Sequence, residues 1–326
     1  MTSTTPTTAF WISEKERGEL IEAQLPPPAD NEVRIKTLYS GVSRGTETLV
    51  FSGLVPASEH DRMRAPFQIG DFSFPVKYGY INVGQVVQGP DHLQGRCVFC
   101  LFPHQTLFNV PEESVTVLPE DVPPERAVLA ANMETAINAL WDAQPAIGDR
   151  ISVVGAGVIG SLVAYLAARI VGCDVQLIDI NTNRAPVANA LGVEFTQPRD
   201  AKRNRDLVIH TSATEQGLNS ALQLAGFEST VVELSWYGSR QISMNLGSAF
   251  HSQRLQLKSS QVGHIAAGQR SRWSYQRRLQ LALSQLSNPD LDVLISGESH
   301  FPELPETLKW LNAPDNTSLC HRIKYQ

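Results

Sequence analysis

From residue 150 to about 262, short apolar runs alternate with stretches of helical periodicity. Ile151-Ser152-Val153-Val154 reads as a buried strand. After it, apolar positions at Leu162, Ala164, Leu166, Ala167 and Ile170 mark one face of a helix. Residues 175–178 form a second apolar run, and the helix after it stops near Leu191-Gly192. Residues 207–210 and 230–234 read as further strands, with a helix at 218–224 between them. Residues 254–258 alternate and predict an edge strand. Strands alternating with helices in this way predict an α/β fold with a doubly wound parallel sheet.

The first 120 residues follow another pattern. Strand-like runs at 32–36, 82–88 and 96–102 are broken by Gly and Pro, as at Pro26-Pro27-Pro28. This predicts a separate, mostly antiparallel domain. An Ala-rich helix is expected to about residue 143 and another over 273–286. The tail alternates again at 319–325 and is expected to rejoin the first domain. The predicted organisation is a β-rich domain over 1–125, completed by 265–326, with a dinucleotide-binding domain over 126–264. The Ser/Thr-rich start, residues 1–8, lacks the features of a signal peptide and reads as a frayed end.

The chemistry gathers where the first strand of the α/β region meets its helix. Gly155-Ala156-Gly157-Val158-Ile159-Gly160 is a Gly-x-Gly-x-x-Gly turn, and Asp179 follows the second strand. Gly155 permits a tight turn, Gly157 a close approach by a pyrophosphate, and Gly160 close helix packing. The N–H groups at Val158 and Ile159 open the helix, where an anion is favoured. Asp179 is placed to accept hydrogen bonds from ribose hydroxyls and to repel a 2′-phosphate, so NAD is expected over NADP. Arg184, five residues on, is the one nearby group that would offset that preference.

Composition narrows the classes. Net charge is −6 and no Lys/Arg-rich run occurs, so nucleic acid is not an expected partner. No apolar stretch is long enough to cross a membrane. Four cysteines, Cys97, Cys100, Cys173 and Cys320, are too few for a disulfide framework in 326 residues, and a cytoplasmic location with free thiols is expected.

The order of parts resembles the medium-chain dehydrogenase/reductase superfamily, over nearly the whole chain. Gly41-Val42-Ser43-Arg44-Gly45-Thr46-Glu47 looks like that family's Gly-(Val/Ile)-Cys-Gly-Thr-Asp loop. Tyr78-Gly79-Tyr80-Ile81 looks like its Gly-His-Glu segment. Leu118-Pro119-Glu120, Glu134-Thr135-Ala136 and Gly148-Asp149-Arg150 lead into the glycine turn as they do there. The resemblance implies a GroES-like β-rich catalytic domain around a Rossmann domain, with the active site in the cleft. It also implies a small-molecule carbonyl or alcohol substrate and a homodimer paired through the 254–258 edge.

The departures from the family pattern define the chemistry to be explained. Ser43 (or Arg44) and Tyr80 stand where zinc enzymes of the family place metal ligands, and Ala131-Asn132 falls near the third. Zn²⁺ prefers thiolate, imidazole or carboxylate. Cys97 and Cys100 lie three apart in a predicted strand, on opposite faces. A zinc-free member is therefore expected. Tyr80 is the first candidate to polarise a substrate oxygen, with Lys77 lowering its pKa or relaying a proton, and His104 and Ser43 as further catalytic candidates. Arg44 is a candidate for the pyrophosphate or for an ion pair with Glu47. Thr135, Ser212 and Ser235 are candidate cofactor contacts. Two other readings stay open: reduction of an activated carbon–carbon double bond, and dinucleotide binding without turnover.

Overall fold

The computed structural model describes residues 4–325. Two compact units divide the chain between Ala131 and Asn132 and again between Arg278 and Leu279. The fold is a GroES-like β unit plus a Rossmann unit.

The Rossmann unit carries six parallel strands in the spatial order Glu194–Thr196, Asp174–Ile178, Arg150–Val154, Arg205–His210, Ala225–Glu233 and Gln256–Ser259. Central strands buried on both faces need continuous apolar side chains, and Ile151, Val153, Leu177, Val208 and Ile209 supply them. Helices Val158–Ala167, Ala185–Ala190 and Glu215–Leu224 follow the first, second and fourth strands in sequence. Gly192, at φ +71°, ends the second of these, as its place in the sequence predicts. Glu194–Thr196 is an outer strand the sequence did not announce, because only three residues pair. The edge strand starts two residues later than the alternation predicts; Arg254 is in the left-handed region, at φ +54°.

In the other unit, the long strand Glu32–Val42 organises a seven-stranded sheet. It pairs with Asn82–Gln88, Leu107–Pro111 and the tail strand Cys320–Lys324. The tail thus returns to this unit. Cys97–Cys100 and Val115–Val117 extend the sheet on one side and Ile295–His300 on the other. Its core is built from Val33, Ile35, Val86, Val98, Phe102, Phe108 and Val110.

A second, four-stranded sheet includes Thr5–Glu14. The expected frayed start is therefore corrected from Thr5 onward; the first three residues lie outside the described ones. Thr7 is buried, and its hydroxyl donates to Leu107 O at 2.6 Å. The Thr8 N–H donates to Thr106 Oγ1 at 2.9 Å. Polar threonines still make a strand where their hydroxyls and backbone both find partners. Cys97 is half-buried and Cys100 sits in the core, where burial pushes its thiol well up.

Candidate functional site

Within the Rossmann unit the glycine turn is fixed by backbone sterics. Gly155 has φ +108°, and a Cβ there would meet Ser212 N at 2.7 Å. A Cβ on Gly160 would lie 1.8 Å from Gly155 O. Gly157 differs, since a Cβ there would meet nothing within 4 Å. Its residue therefore borders open space at the N-terminus of helix Val158–Ala167, and no side chain caps that helix. A pyrophosphate fits an open, uncapped helix start of this kind.

Asp179 is held at the same turn. One carboxylate oxygen accepts from the Ala156 N–H at 2.7 Å, the other from the Asn181 N–H at 2.8 Å. Each oxygen keeps lone pairs for further donors. Arg184 is half-buried and lies close enough to Asp179 for the two charges to interact, while burial lowers its pKa. Thr135 lies half-buried on helix Ala130–Ala143.

At the carboxyl ends of the fourth and fifth Rossmann strands in sequence stands a polar network that sequence reasoning did not assemble. His210 and Glu233 are directly opposite in the parallel register. Imidazole Nδ1 lies 2.7 Å from Glu233 Oε2, and Nε2 lies 2.7 Å from Ser212 Oγ. The Ser235 N–H and the Tyr237 hydroxyl also donate to Glu233, and Ser235 Oγ accepts from the Ala213 N–H. Burial works against ionising Glu233, but the His210 and Ser235 bonds outweigh it and hold the carboxyl below its usual range. The two predicted serines are thus brought together by a fully buried histidine. The signal available in the sequence was a polar His ending an apolar strand.

In the β unit the Ser43 loop and the Gly79-Tyr80 segment converge. Ser43 opens helix Arg44–Phe51, and its N–H donates to Glu47 Oε1 at 2.8 Å. Glu47 Oε2 lies 2.9 Å from His104 Nε2, and His104 Nδ1 lies 2.7 Å from Ser40 Oγ. Ser40 Oγ in turn lies 3.0 Å from the Tyr325 hydroxyl. Gly79, at φ +130°, leaves room for the ring: a Cβ there would sit 3.0 Å from His104 Cδ2.

Tyr80 is half-buried, and its hydroxyl bonds with the Ser43 and Thr46 side chains. Burial first, then the Glu47 charge, push its pKa up to about 12.

The structure also places the other candidates. Lys77 is not among the groups that shift the Tyr80 hydroxyl. The ammonium is held by Gln105 Oε1 at 2.9 Å and lies 5.1 Å from the Phe102 ring centre, and burial lowers its pKa to about 8. His104 is only 1% exposed, with both nitrogens engaged by Glu47 and Ser40. Glu47 takes His104 as a hydrogen-bond partner, and Arg44 donates to Ser318 O at 3.3 Å.

No family model matches the sequence. A curated relative is D-guloside 3-dehydrogenase of Escherichia coli (strain K12). It is 23% identical over 308 residues, spanning 85% of this chain and 88% of the relative. Among solved structures, an Escherichia coli CFT073 alcohol dehydrogenase complexed with NADH matches at TM-score 0.74, with 16% identity, over 98% of this chain and 99% of that one. A zinc-binding dehydrogenase of Sinorhizobium meliloti 1021 bound to NADP matches at TM-score 0.77, with 15% identity, over 98% and 99%. The chain resembles the medium-chain dehydrogenase/reductase superfamily and has its fold.

Zinc-type members of that superfamily pose a question for the donor set seen here. Ser43 and Tyr80, both in the β unit, offer hydroxyls, which fit Zn²⁺ poorly. Among the described residues no group of three or more His, Cys, Asp and Glu side chains is arranged to hold a metal ion. No helix among them is long and apolar enough to cross a membrane.

Proposed function

We propose that the protein is an NAD-dependent oxidoreductase that interconverts an alcohol and a carbonyl without zinc. The observation that carries this reading is the glycine turn, with Gly157 open and Asp179 fixed on the Ala156 N–H. The named dehydrogenase relative and the nicotinamide complexes of the solved neighbours support it.

Bound nicotinamide supplies or takes the hydride. The helix N-terminus at Val158, Ile159 and Gly160 holds the pyrophosphate, and Asp179 accepts from the ribose hydroxyls. Ser212 and Ser235, fixed by the His210–Glu233 pair, serve the cofactor at the sheet's carboxyl end, and Thr135 is a further contact. Tyr80 serves the substrate oxygen. With its pKa pushed up to about 12, the phenol is neutral at pH 7 and acts as a hydrogen-bond donor. Glu47 and His104 fix the loop that positions it.

The test is purified protein with NADH or NADPH and a panel of aldehydes, ketones, quinones and enones, together with metal analysis. Carbonyl-dependent oxidation of NADH in metal-free protein is expected. Activity confined to quinones or enones would replace the carbonyl reading with double-bond reduction. Cofactor binding without turnover across the panel would leave a binding protein. About one zinc per chain, with activity lost on chelation, would end the zinc-free reading. The exposed edge strand Gln256–Ser259 is the proposed seam of a homodimer, and a monomer by light scattering would remove it.

A further inference from the structure

The chain's charge is unevenly distributed. Between residues 234 and 289 there is no Asp or Glu, while seven Lys and Arg fall there, in a chain whose net charge is −6. Three of the seven have carboxylate partners: Arg254 with Glu228, Lys258 with Asp142, and Arg278 with Glu134. Arg240, Arg270, Arg272 and Arg277 have none among the described residues. Three of these guanidiniums donate to neutral oxygens: Ile265 O for Arg270, Gly268 O and the Gln269 amide for Arg272, and Arg272 O for Arg277. Unneutralised guanidiniums clustered in eight residues set up a positive local potential.

Arg270 lines an open pocket of about 440 Å³ together with His264, Ile265, Trp273, Ser274 and Tyr275, and Arg277 reaches its Trp273 wall. Its apolar wall is also ordered. The Arg277 guanidinium lies 3.9 Å from the Trp273 ring centre, and Trp273 packs on Trp141 at 4.7 Å. The Tyr275 hydroxyl donates to Gly263 O at 2.9 Å.

Behind the pocket, Arg278 is 2% exposed and works as a clamp. It donates to Glu134, to Asn138 Oδ1 and to Val262 O, at 3.0, 2.7 and 2.7 Å. Asn138 Oδ1 also accepts from the Ala266 N–H. Helix Ala130–Ala143 and helix Tyr275–Ser284 are thereby tied to the loop that follows the last parallel strand. Ligands of open α/β sheets bind at that end of the strands.

We infer that this pocket binds an oxyanion, a phosphate or carboxylate group, on a ligand whose remaining body rests against Trp273. A guanidinium matches such groups with paired N–H donors. The oxidoreductase reading enters only in deciding which ligand brings the anion, the substrate or the cofactor.

Trp273 supplies a readout that does not need turnover. Inorganic phosphate, titrated into the full chain, is expected to change tryptophan emission saturably. Trp273→Phe should lose that signal while calorimetry still detects phosphate. Arg270→Gln and Arg277→Gln should each weaken phosphate about tenfold with unchanged melting temperatures, because both side chains are exposed. Absence of saturable phosphate binding, or equal affinity in the Arg270→Gln/Arg277→Gln double variant, would overturn the inference.

Parallel titrations with NADH and NADPH name the source. Weakening of either dinucleotide in the variants assigns the anion to a cofactor phosphate and displaces that phosphate from the glycine turn. Unchanged affinity for both assigns it to the substrate. Failure of wild-type protein to bind either dinucleotide would defeat the proposed function and leave the phosphate result standing.

Discussion

The glycine turn and the Tyr80 site are both short loops that end in a precise geometry, yet they are built by different means. The turn is a backbone device. Its positions are dictated by what a Cβ would strike, and the partners lie within about sixty residues of one another. The Tyr80 site is a side-chain device. Ser40, Ser43, Glu47, Gly79, His104 and Tyr325 reach it from four separated parts of the chain. The first is fixed by Gly155 and Gly160, which leave no room for a Cβ, the second by a hydrogen-bonded chain whose members can be changed one at a time.

The largest expected effect breaks the first device. Gly160→Ala places a carbon on Gly155 O, so helix and turn must separate. NADH affinity should fall by more than about a hundredfold, a loss of about 3 kcal/mol or more, read by calorimetry. Retained affinity would show that the turn yields more than its sterics allow.

Tyr80→Phe tests the second device at its working end. A lost donor to a reacting oxygen costs about 10²–10³-fold in turnover, with NADH affinity intact. Unchanged turnover would remove Tyr80 from the mechanism.

Glu47→Gln probes the positioning layer. It leaves His104 and the Ser43 N–H with a neutral acceptor in a buried setting, and a loss of about 2 kcal/mol in stability is expected by denaturant titration. Turnover should fall less than in Tyr80→Phe. A larger fall would make Glu47 a direct participant.

The smallest effect concerns Lys77, which shares the unit but not the site. Its pKa is about 8 in the fold against an ordinary 10.5, so the unfolded chain binds the extra proton between those values. Its contribution to stability is present above pH 10.5 and is lost as pH falls toward 8, by about 3 kcal/mol in total. Lys77→Met should abolish this slope, seen as the difference between the two proteins' stabilities across that window. Parallel curves would place the ammonium in water.

The same comparison explains what the sequence revealed. Alternation of apolar runs and helices announced four of the six parallel strands and the edge, because buried parallel strands advertise themselves locally. Gly155, Gly157, Gly160 and Asp179 were legible for the same reason. Glu194–Thr196 was not, having only three paired residues and little apolar content. Nor were the pairings His104 with Glu47, His210 with Glu233, and Arg278 with Glu134, which depend on register and on long-range closure. The sequence pointed to Tyr80, but the direction of its pKa shift required knowing that a carboxylate stands nearby and that Lys77 is turned toward Gln105.

The tail strand carries a consequence for how the chain is made. Cys320–Lys324 completes the sheet around Glu32–Val42, and the Tyr325 hydroxyl closes on Ser40. The Rossmann unit, by contrast, is composed of residues that have all been made by Arg278. During synthesis the later unit in sequence is therefore the first that can finish folding, reversing the usual order in which N-terminal parts settle first. The β unit must wait, with the Tyr39, Ser40, Gly41 and Val42 end of the Glu32–Val42 strand unpaired on one side, until its last strand arrives. A truncation removing the tail strand should leave dinucleotide binding in place and make the β unit the part that aggregates.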